Sequence, residues 1–148
     1  MSVDATNPAS DPRAFAQLVK KASADELRQL MHGDQRVPVL QEIFSHMPDV
    51  FRPDRAGSIS AVIHWKVGDR PDGGTDTYEL VIDNGSCELS PQPEREPRLV
   101  LMLGAVEFLK IVTGNANPLV LFMRGKMKAR GDLGLATKIP NLFDPPTA

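Results

Sequence analysis

The chain has 148 residues, of which 41% are hydrophobic and 24% are charged, and its formal net charge is −2. This length and composition predict one globular domain with a substantial core. The slightly negative charge gives no general attraction to nucleic acid, so nucleic acid is not an expected partner.

The apolar residues are mainly aliphatic, since aromatic residues make up only 5% of the chain and there are six methionines. Methionine adapts to irregular space, which suits a loosely shaped pocket as well as an ordinary aliphatic core. Cys87 is the single cysteine, so no disulfide can form within the chain, which fits a reducing compartment. The start of the chain has no apolar signal region and no run is long enough to span a membrane, which together predict a cytoplasmic location.

The N-terminal region is predicted to hold a disordered tail followed by helices. Residues 1–10 are polar and show no periodicity, as in a disordered tail. Apolar residues then recur at helical spacing through residues 11–50. Ser23 and Glu26 have the spacing of a capping box, which sets the start of the second helix. The third helix is expected at about Val37–Met47, with one apolar stripe.

Strands are predicted to follow these helices. Between Gly57 and Val67 the apolar residues alternate with polar ones, which indicates a strand with one buried face. A second strand places Glu79 on the outward face. It leads through Asn84-Gly85, a strong hairpin signal, into a third strand that carries Cys87 inward.

Two more strands are predicted, at Leu99–Leu103 and at Lys126–Arg130. Five strands with one polar face each indicate a sheet that is covered on one side only. Helices must then form the second layer, so the predicted fold is a two-layer α+β domain.

Two helical segments are unusually apolar. One is Gly104–Val112, and the other begins at Pro118 and includes Leu119–Met123, five apolar residues in a row. A helix that is apolar on all sides must be buried on more than one side. The extra side could be covered by the N-terminal helices, by a partner subunit or by a bound apolar ligand, and periodicity does not choose among them.

A longer motif overlaps the first segment and includes the second. From Phe108 to Lys138 the chain reads FLKIVTGNANPLVLFMRGKMKARGDLGLATK, in which GKMK followed by GDLGLATK is the most specific spacing. This segment closely resembles the sterol carrier protein family, also called nonspecific lipid-transfer proteins. The hairpin DGGTDTYELVIDNGSCEL resembles the central strands of that family as well, so the resemblance extends over about Gly57–Phe143.

The resemblance implies a five-stranded, mostly antiparallel sheet with helices on one face, enclosing an apolar tunnel. It implies binding and transfer of fatty acids, fatty acyl-CoA, phospholipids or sterol-like molecules, with no cofactor and no catalysis. The residues expected to contact the lipid are apolar positions on the strands and helices: Ile63, Trp65, Met102, Phe108, Leu109, Val112, Leu119, Phe122, Met123, Leu135, Ile139 and Phe143.

The chain departs from the family pattern in a few places. Gly104 stands where members often carry an acidic residue or serine, which weakens that helix cap. Leu119 replaces a polar residue that some members have near the pocket, so we expect an apolar site without a head-group anchor. Pro140 is expected to end the last helix near Lys138–Ile139.

The helical segment 11–50 is not part of the family's core pattern. We expect it to fold together with a lipid-binding part at residues 51–148, as a single globular unit over residues 11–148. The shape of the tunnel entrance beside Pro140 is not predicted.

The residues typical of catalysis or metal binding are sparse. His32, His46 and His64 do not have the spacing of metal ligands, and Cys87 fits a buried, unreactive thiol. No nucleotide-binding or hydrolase motif is present. We therefore expect no metal, no cofactor and no enzymatic activity.

A basic strip, Arg124, Lys126, Lys128 and Arg130, contains no acidic residue. Its simplest interpretation is a solvated strand face. The alternative is transient docking on anionic lipid head groups, which would assist transfer. Nucleic acid fits less well, because the strip has no aromatic residues for stacking on bases.

Three functions are compatible with the sequence. The first is a carrier of hydrophobic ligands. The second is an oligomeric interaction module, such as a homodimer, in which the apolar helices form the interface. The third is an accessory protein that holds a polyketide or steroid intermediate for a partner enzyme.

Overall fold

The computed structural model describes residues 12–90 and 92–144, so the predicted disordered tail lies outside the described residues. The helices are α1 (Pro12–Lys21), α2 (Ala24–His32), α3 (Arg36–His46), α4 (Pro53–Ala56), α5 (Ala105–Val112), α6 (Pro118–Met123) and α7 (Leu133–Leu142), with a 3-10 turn at Met47–Val50. The strands are β1 (Ala61–Val67), β2 (Asp76–Asp83), β3 (Ser86–Leu89), β4 (Leu99–Leu103) and β5 (Met127–Gly131).

The strands form one sheet in the order β3-β2-β1-β4-β5. Neighbouring strands are antiparallel except for β1 and β4, which run parallel with Trp65 opposite Leu101. The predicted α+β fold with a mostly antiparallel five-stranded sheet is confirmed.

The turn between β2 and β3 has the predicted chemistry. Asn84 and Gly85 have φ angles of 49° and 74°, both in the left-handed region that a two-residue hairpin loop of this kind requires. Strand β1, by contrast, begins at Ala61 rather than at Gly57, because Pro53–Ala56 forms a short helix and Gly57 leaves it with φ of 58°.

The N-terminal helices pack on the same side of the sheet as α5. The capping box is confirmed: the Ser23 N–H donates to Glu26 Oε1 at 3.0 Å and the Glu26 N–H donates to Ser23 Oγ at 3.1 Å. At the start of α3 the buried guanidinium of Arg36 contacts Asp76 Oδ2 at 2.9 Å and donates to the Val67 carbonyl at 3.0 Å. These bonds fix α3 against the adjoining ends of β1 and β2.

A cluster of aromatic rings joins the two layers. The ring of Phe44 on α3 stacks on Tyr78 and on Phe108, with centroids 4.1 and 5.0 Å apart. Trp65 on β1 meets Phe108 edge-on at 5.7 Å. Such pairs stabilise by about 0.5–1.5 kcal/mol beyond their area burial, so the cluster binds α3 and α5 to the centre of the sheet.

The face of the sheet turned away from the helices is not fully open. Glu79 was predicted to face solvent, yet it is only 1% exposed. The loop before β4 covers it: the Arg95 N–H donates to Glu79 Oε1 at 2.9 Å, and His64 Nε2 lies 3.0 Å from the same oxygen. Burial alone would raise the pKa of Glu79, but hydrogen bonds from Ser90, His64 and Arg95 outweigh burial and lower it.

The prediction that Pro140 ends the last helix is wrong, because α7 continues to Leu142. The last turn is held by bonds to the chain near residue 51. The Arg52 N–H donates to the Leu142 carbonyl at 2.7 Å, and the Asp144 N–H donates to the Val50 carbonyl at 2.8 Å. These tertiary contacts offset the hydrogen bond that proline cannot donate.

Candidate functional site

An apolar pocket of about 280 Å³ lies among the helices, and β1 contributes Trp65 to it. Almost all of its surface is aliphatic or aromatic. Its lining residues are Phe15, Glu42, Ile43, His46, Met47, Asp49, Val50, Trp65, Ile111, Val112, Thr113, Gly114, Ala116, Pro118, Ile139, Pro140 and Phe143. The sequence predicted a tunnel between sheet and helices. The structure has a pocket there, and passage right through the domain stays a prediction.

Three separate parts of the chain build this pocket. The N-terminal segment supplies α1 and the end of α3, the middle supplies the end of α5, and α7 supplies Ile139 and Pro140. An isolated bridge between Phe51 and Phe143, whose rings lie 5.6 Å apart, joins the segment after the 3-10 turn to the end of α7. The pocket therefore forms only when the N-terminal helices dock on the rest of the domain.

The loop from α5 to α6 forms one wall and is fixed by two side chains. Thr113 Oγ1 donates to the Leu109 carbonyl at 2.7 Å, which satisfies this buried hydroxyl. Asn115 Nδ2 donates to Thr113 Oγ1 at 2.8 Å and to the Ala16 carbonyl of α1 at 3.0 Å. These bonds leave the apolar atoms of the loop to face the pocket.

The mouth of the pocket, defined as Glu42, His46 and Asp49, carries its charged groups. All three side chains are at least 41% exposed. His46 Nδ1 lies 2.9 Å from Asp49 Oδ2, and His46 Nε2 lies 3.6 Å from Glu42 Oε2. No lysine or arginine is found among the lining residues within the described part of the chain.

Trp65 is the lining residue that the sheet contributes, and its side chain is 3% exposed. Its indole N–H has no hydrogen-bond partner among the described residues. A buried donor without a partner costs about 1–3 kcal/mol. The indole nitrogen is enclosed by protein atoms, so the carbon surface of the ring lines the pocket.

The sequence-predicted lipid contacts divide into three groups. Trp65, Val112, Ile139 and Phe143 line the pocket. Buried in the core but outside the lining are Ile63, Phe108, Leu109 and Leu135. The remaining four, Met102, Leu119, Phe122 and Met123, lie on the surface side of their elements.

The four residues on the surface side are there because of the strand register of β4 and the exposure of α6. Met102 pairs with Lys66 on the face of the sheet turned away from the helices. Its position in the strand therefore places it on the opposite side of the sheet from the pocket. Helix α6 was expected to be buried on several sides, but only Leu121 is buried, and Leu119, Val120, Phe122 and Met123 are exposed. The N-terminal helices cover α5 and do not extend over α6.

Sequence reasoning missed the N-terminal part of the lining, namely Phe15, Ile43, Met47 and Val50. Their signal was present, because Ile43 and Met47 belong to the predicted apolar stripe of the third helix. That stripe predicts burial but does not tell whether the buried side meets protein or a cavity.

The basic strip lies beside α6. Arg124, Lys126, Lys128 and Arg130 are all exposed, while Met127 between them is buried, as the alternating pattern predicted. The Lys126 N–H donates to the Leu121 carbonyl at 2.9 Å, so the start of β5 lies directly against the helix. Exposed apolar side chains and exposed cations thus adjoin on one part of the molecule.

Cys87 is the single thiol of the chain. Burial, aided by the Glu88 carboxylate, raises the pKa of the Cys87 thiol to about 12, far above that of a nucleophilic cysteine. Residues 12–90 and 92–144 hold no group of three or more His, Cys, Asp or Glu side chains arranged for a metal ion. None of the helices described is long and apolar enough to span a bilayer.

Comparison with protein families gives a match over residues 40–144 to the SCP-2 sterol transfer family. The match begins within α3, so it extends further towards the N-terminus than the resemblance read from the sequence, which began at Gly57. It therefore takes in both the mouth and most of the lining of the pocket.

Individual relatives agree with this match. Sterol carrier protein 2 of Homo sapiens is 32% identical over 84 residues, which are 57% of this chain and 15% of that protein. Hydroxysteroid dehydrogenase-like protein 2 of Homo sapiens is 24% identical over 137 residues, which are 90% of this chain and 32% of that protein. The chain thus spans less than a third of either relative's length.

Among solved structures, the solution structure of the sterol carrier protein domain 2 of Helicoverpa armigera superposes with a TM-score of 0.58. It is 17% identical in sequence, and the superposition covers 82% of this chain and 89% of that one. At this identity the likeness establishes the fold.

Proposed function

This chain belongs to the SCP-2 sterol transfer family, and we propose that its pocket holds the apolar part of a lipid which the domain carries between membranes. The observation that carries the proposal is the pocket itself, walled by aliphatic and aromatic side chains with polar groups concentrated at the mouth. Burial of an alkyl chain contributes about 0.8 kcal/mol per methylene, before the cost of association.

The size of the pocket bears on the ligand. Its volume of about 280 Å³ is close to the lower end of the roughly 300–1,000 Å³ that ligand pockets occupy. A long alkyl chain or a sterol therefore fits in part, with the remainder at the open mouth or in space that side chains yield. Fatty acids, fatty acyl-CoA, phospholipids and sterols are the candidate ligands.

A carrier role is favoured over catalysis. The raised pKa of Cys87 makes its thiol a poor nucleophile. The polar groups at the mouth are exposed and paired with one another, without an enclosed reaction site. A carrier in the reducing cytoplasm also fits a chain with a single, buried cysteine.

The transfer step is assigned to the surface formed by α6 and the basic strip. Met123 is 84% exposed, and the three other exposed apolar residues of α6 adjoin four cations with no acidic residue in the segment Pro118–Gly131. Cations near an anionic bilayer contribute about 1 kcal/mol each, and exposed apolar side chains can enter the head-group region. Pro118 lines the pocket, so this surface lies next to the bound lipid.

Binding is tested by titrating the protein with a long-chain alcohol while following the fluorescence of Trp65, the single tryptophan. We expect a saturable change in wild type. Val112→Phe, which fills the lining, should weaken binding by about tenfold or more, whereas the matched variant Leu119→Phe on exposed α6 should bind as wild type does. Absence of any saturable binding, together with no co-purified lipid in native mass spectra, would refute the proposal.

Membrane contact is tested by sedimentation with vesicles of phosphatidylcholine, with and without phosphatidylserine. We expect binding to the anionic vesicles only, reduced by Lys126→Glu/Lys128→Glu and by Met123→Ser. The matched control is Lys20→Glu/Lys21→Glu on α1, which changes the same charge elsewhere. Equal loss in the control, or a concentration-dependent dimer in place of vesicle binding, would contradict this assignment.

A further inference from the structure

The charge at the mouth of the pocket limits which lipid heads can occupy it. Glu42 and Asp49 supply two carboxylates there, and His46 lies between them. Even with a protonated His46 the three groups carry a net negative charge, since two carboxylates face one imidazolium. No lysine or arginine among the lining residues of the described chain offsets that charge.

An anionic head that remains at the mouth therefore meets carboxylates of the same sign. The energy of this repulsion is small in water and large in the protein interior, and for side chains that are partly exposed, as these are, it lies between those two limits. A hydroxyl head carries no such penalty. An ammonium head would be attracted to the same two carboxylates.

The opposite orientation, with the head inside, also disfavours an anion. Away from the mouth the lining is almost entirely apolar, and its one hydroxyl, on Thr113, already donates to the Leu109 carbonyl. Such a lining does not compensate for desolvating a carboxylate. A hydroxyl head costs much less to desolvate, because it carries no charge.

These two observations lead to one ligand class. We propose that the pocket selects lipids with an uncharged or cationic head, such as long-chain alcohols, sterols and long-chain amines, over the anions of fatty acids. The hydroxyl head fits both orientations, and the ammonium head fits the mouth. This selectivity rests on the proposed lipid-binding function and narrows its substrate class.

The test compares dodecanol, dodecylamine and dodecanoate by isothermal titration at about pH 8 and low ionic strength, where a carboxylic acid is ionised and a primary amine is protonated. The three probes share one alkyl chain and differ in head charge. We expect dodecanol and dodecylamine to bind at least about tenfold more tightly than dodecanoate, as repulsion from one or two nearby carboxylates predicts.

The variant Glu42→Gln/Asp49→Asn removes both carboxylates from exposed positions without altering the apolar lining. Dodecanoate should then bind within about threefold of dodecanol, and dodecylamine should lose affinity. The matched control is Glu94→Gln/Glu96→Gln, which removes two exposed carboxylates from the loop before β4 and should leave all three affinities unchanged.

The outcomes separate the two proposals. If dodecanol fails to bind, lipid binding in this pocket is refuted. If dodecanol binds but dodecanoate binds equally well or better to wild type, the charge selectivity is overturned while lipid binding stands. A change in selectivity in the Glu94/Glu96 control equal to that in the mouth variant would also overturn it, because the effect would then be one of total charge.

Discussion

Helices α5 and α6 have similar apolar sequences and opposite environments. In α5, Phe108 and Leu109 are fully buried, and Val106 and Ile111 on other sides of the helix are also buried. In α6 only Leu121 is buried. The difference arises because α1 and α2 pack on α5, whereas no described element packs over the outer side of α6.

These two helices show that an apolar sequence predicts that a helix must be covered, but not which part of the molecule covers it. Helix α5 obtains cover from a segment about 80 residues earlier in the chain. Helix α6 keeps its apolar surface exposed beside cations, which is the basis of the proposed membrane contact. The pocket lies where the cover of α5 ends, at Ile111 and Val112.

The largest expected effect is a difference in stability between two variants, one lacking an aromatic ring of α5 and the other lacking a ring of α6. Phe108→Ala should lower the free energy of unfolding by about 3–5 kcal/mol, because it leaves a cavity in the aromatic cluster. Phe122→Ala should change it by no more than about 0.5 kcal/mol, since that ring is exposed. Urea denaturation measures both, and equal losses would show that α6 is covered in solution.

A smaller effect is expected on the opposite face of the sheet, where a loop rather than helices provides the cover. Glu79→Gln should destabilise the protein by about 1–3 kcal/mol near neutral pH, since it disturbs the bonds from His64 and Arg95. Because folding lowers the pKa of Glu79 below its ordinary 4.5, its stabilising effect is present above that pH.

This effect must disappear as the pH falls through the lowered pKa of Glu79, where the wild-type carboxylate also becomes protonated. Denaturation of wild type and Glu79→Gln from pH 7 to about pH 3 tests the sign. A stability difference that grows towards acid pH would mean that the charged form of Glu79 is not the one that the fold stabilises.

The smallest effect concerns the cover of α5. Ser23→Ala removes the side-chain cap of α2 and should cost about 1 kcal/mol in unfolding free energy. Because α2 packs on α5, amide hydrogens of α5 should exchange faster in this variant, while those of α6 should not change. Exchange that rises equally in both helices would argue against a separate cover for α5.

Local signals in the sequence predicted much of the fold. The capping box at Ser23, the Asn84-Gly85 turn and the alternation at Lys126–Arg130 each specify a conformation through near neighbours. Contacts distant in sequence were not predictable in this way. Glu79 was predicted to face solvent because the loop that covers it, at Arg95, is distant in the sequence. The last helix was predicted to end near Pro140 because the bonds of Arg52 and Asp144 that hold its last turn join segments that are equally distant.

The candidate site was predictable only in part for the same reason. Trp65 and Val112, two of the residues expected to contact lipid, line the pocket, and their contact with a lipid stays a prediction. Phe15, Ile43 and Met47 were not assigned to it, because an apolar stripe is the same whether it meets side chains or a cavity. The charged mouth depends on how the end of α3 and the following 3-10 turn are placed, which only the three-dimensional structure gives.

The position of a bound lipid shows directly whether the pocket is the binding site. A long-chain alcohol bearing a diazirine on its alkyl chain is bound to the wild-type protein, photolysed, and the adducts are mapped by mass spectrometry. We expect adducts on the pocket lining, chiefly at Ile43, Met47, Ile111 and Ile139. Adducts concentrated on α6, at Leu119–Met123, with none on the lining would contradict it.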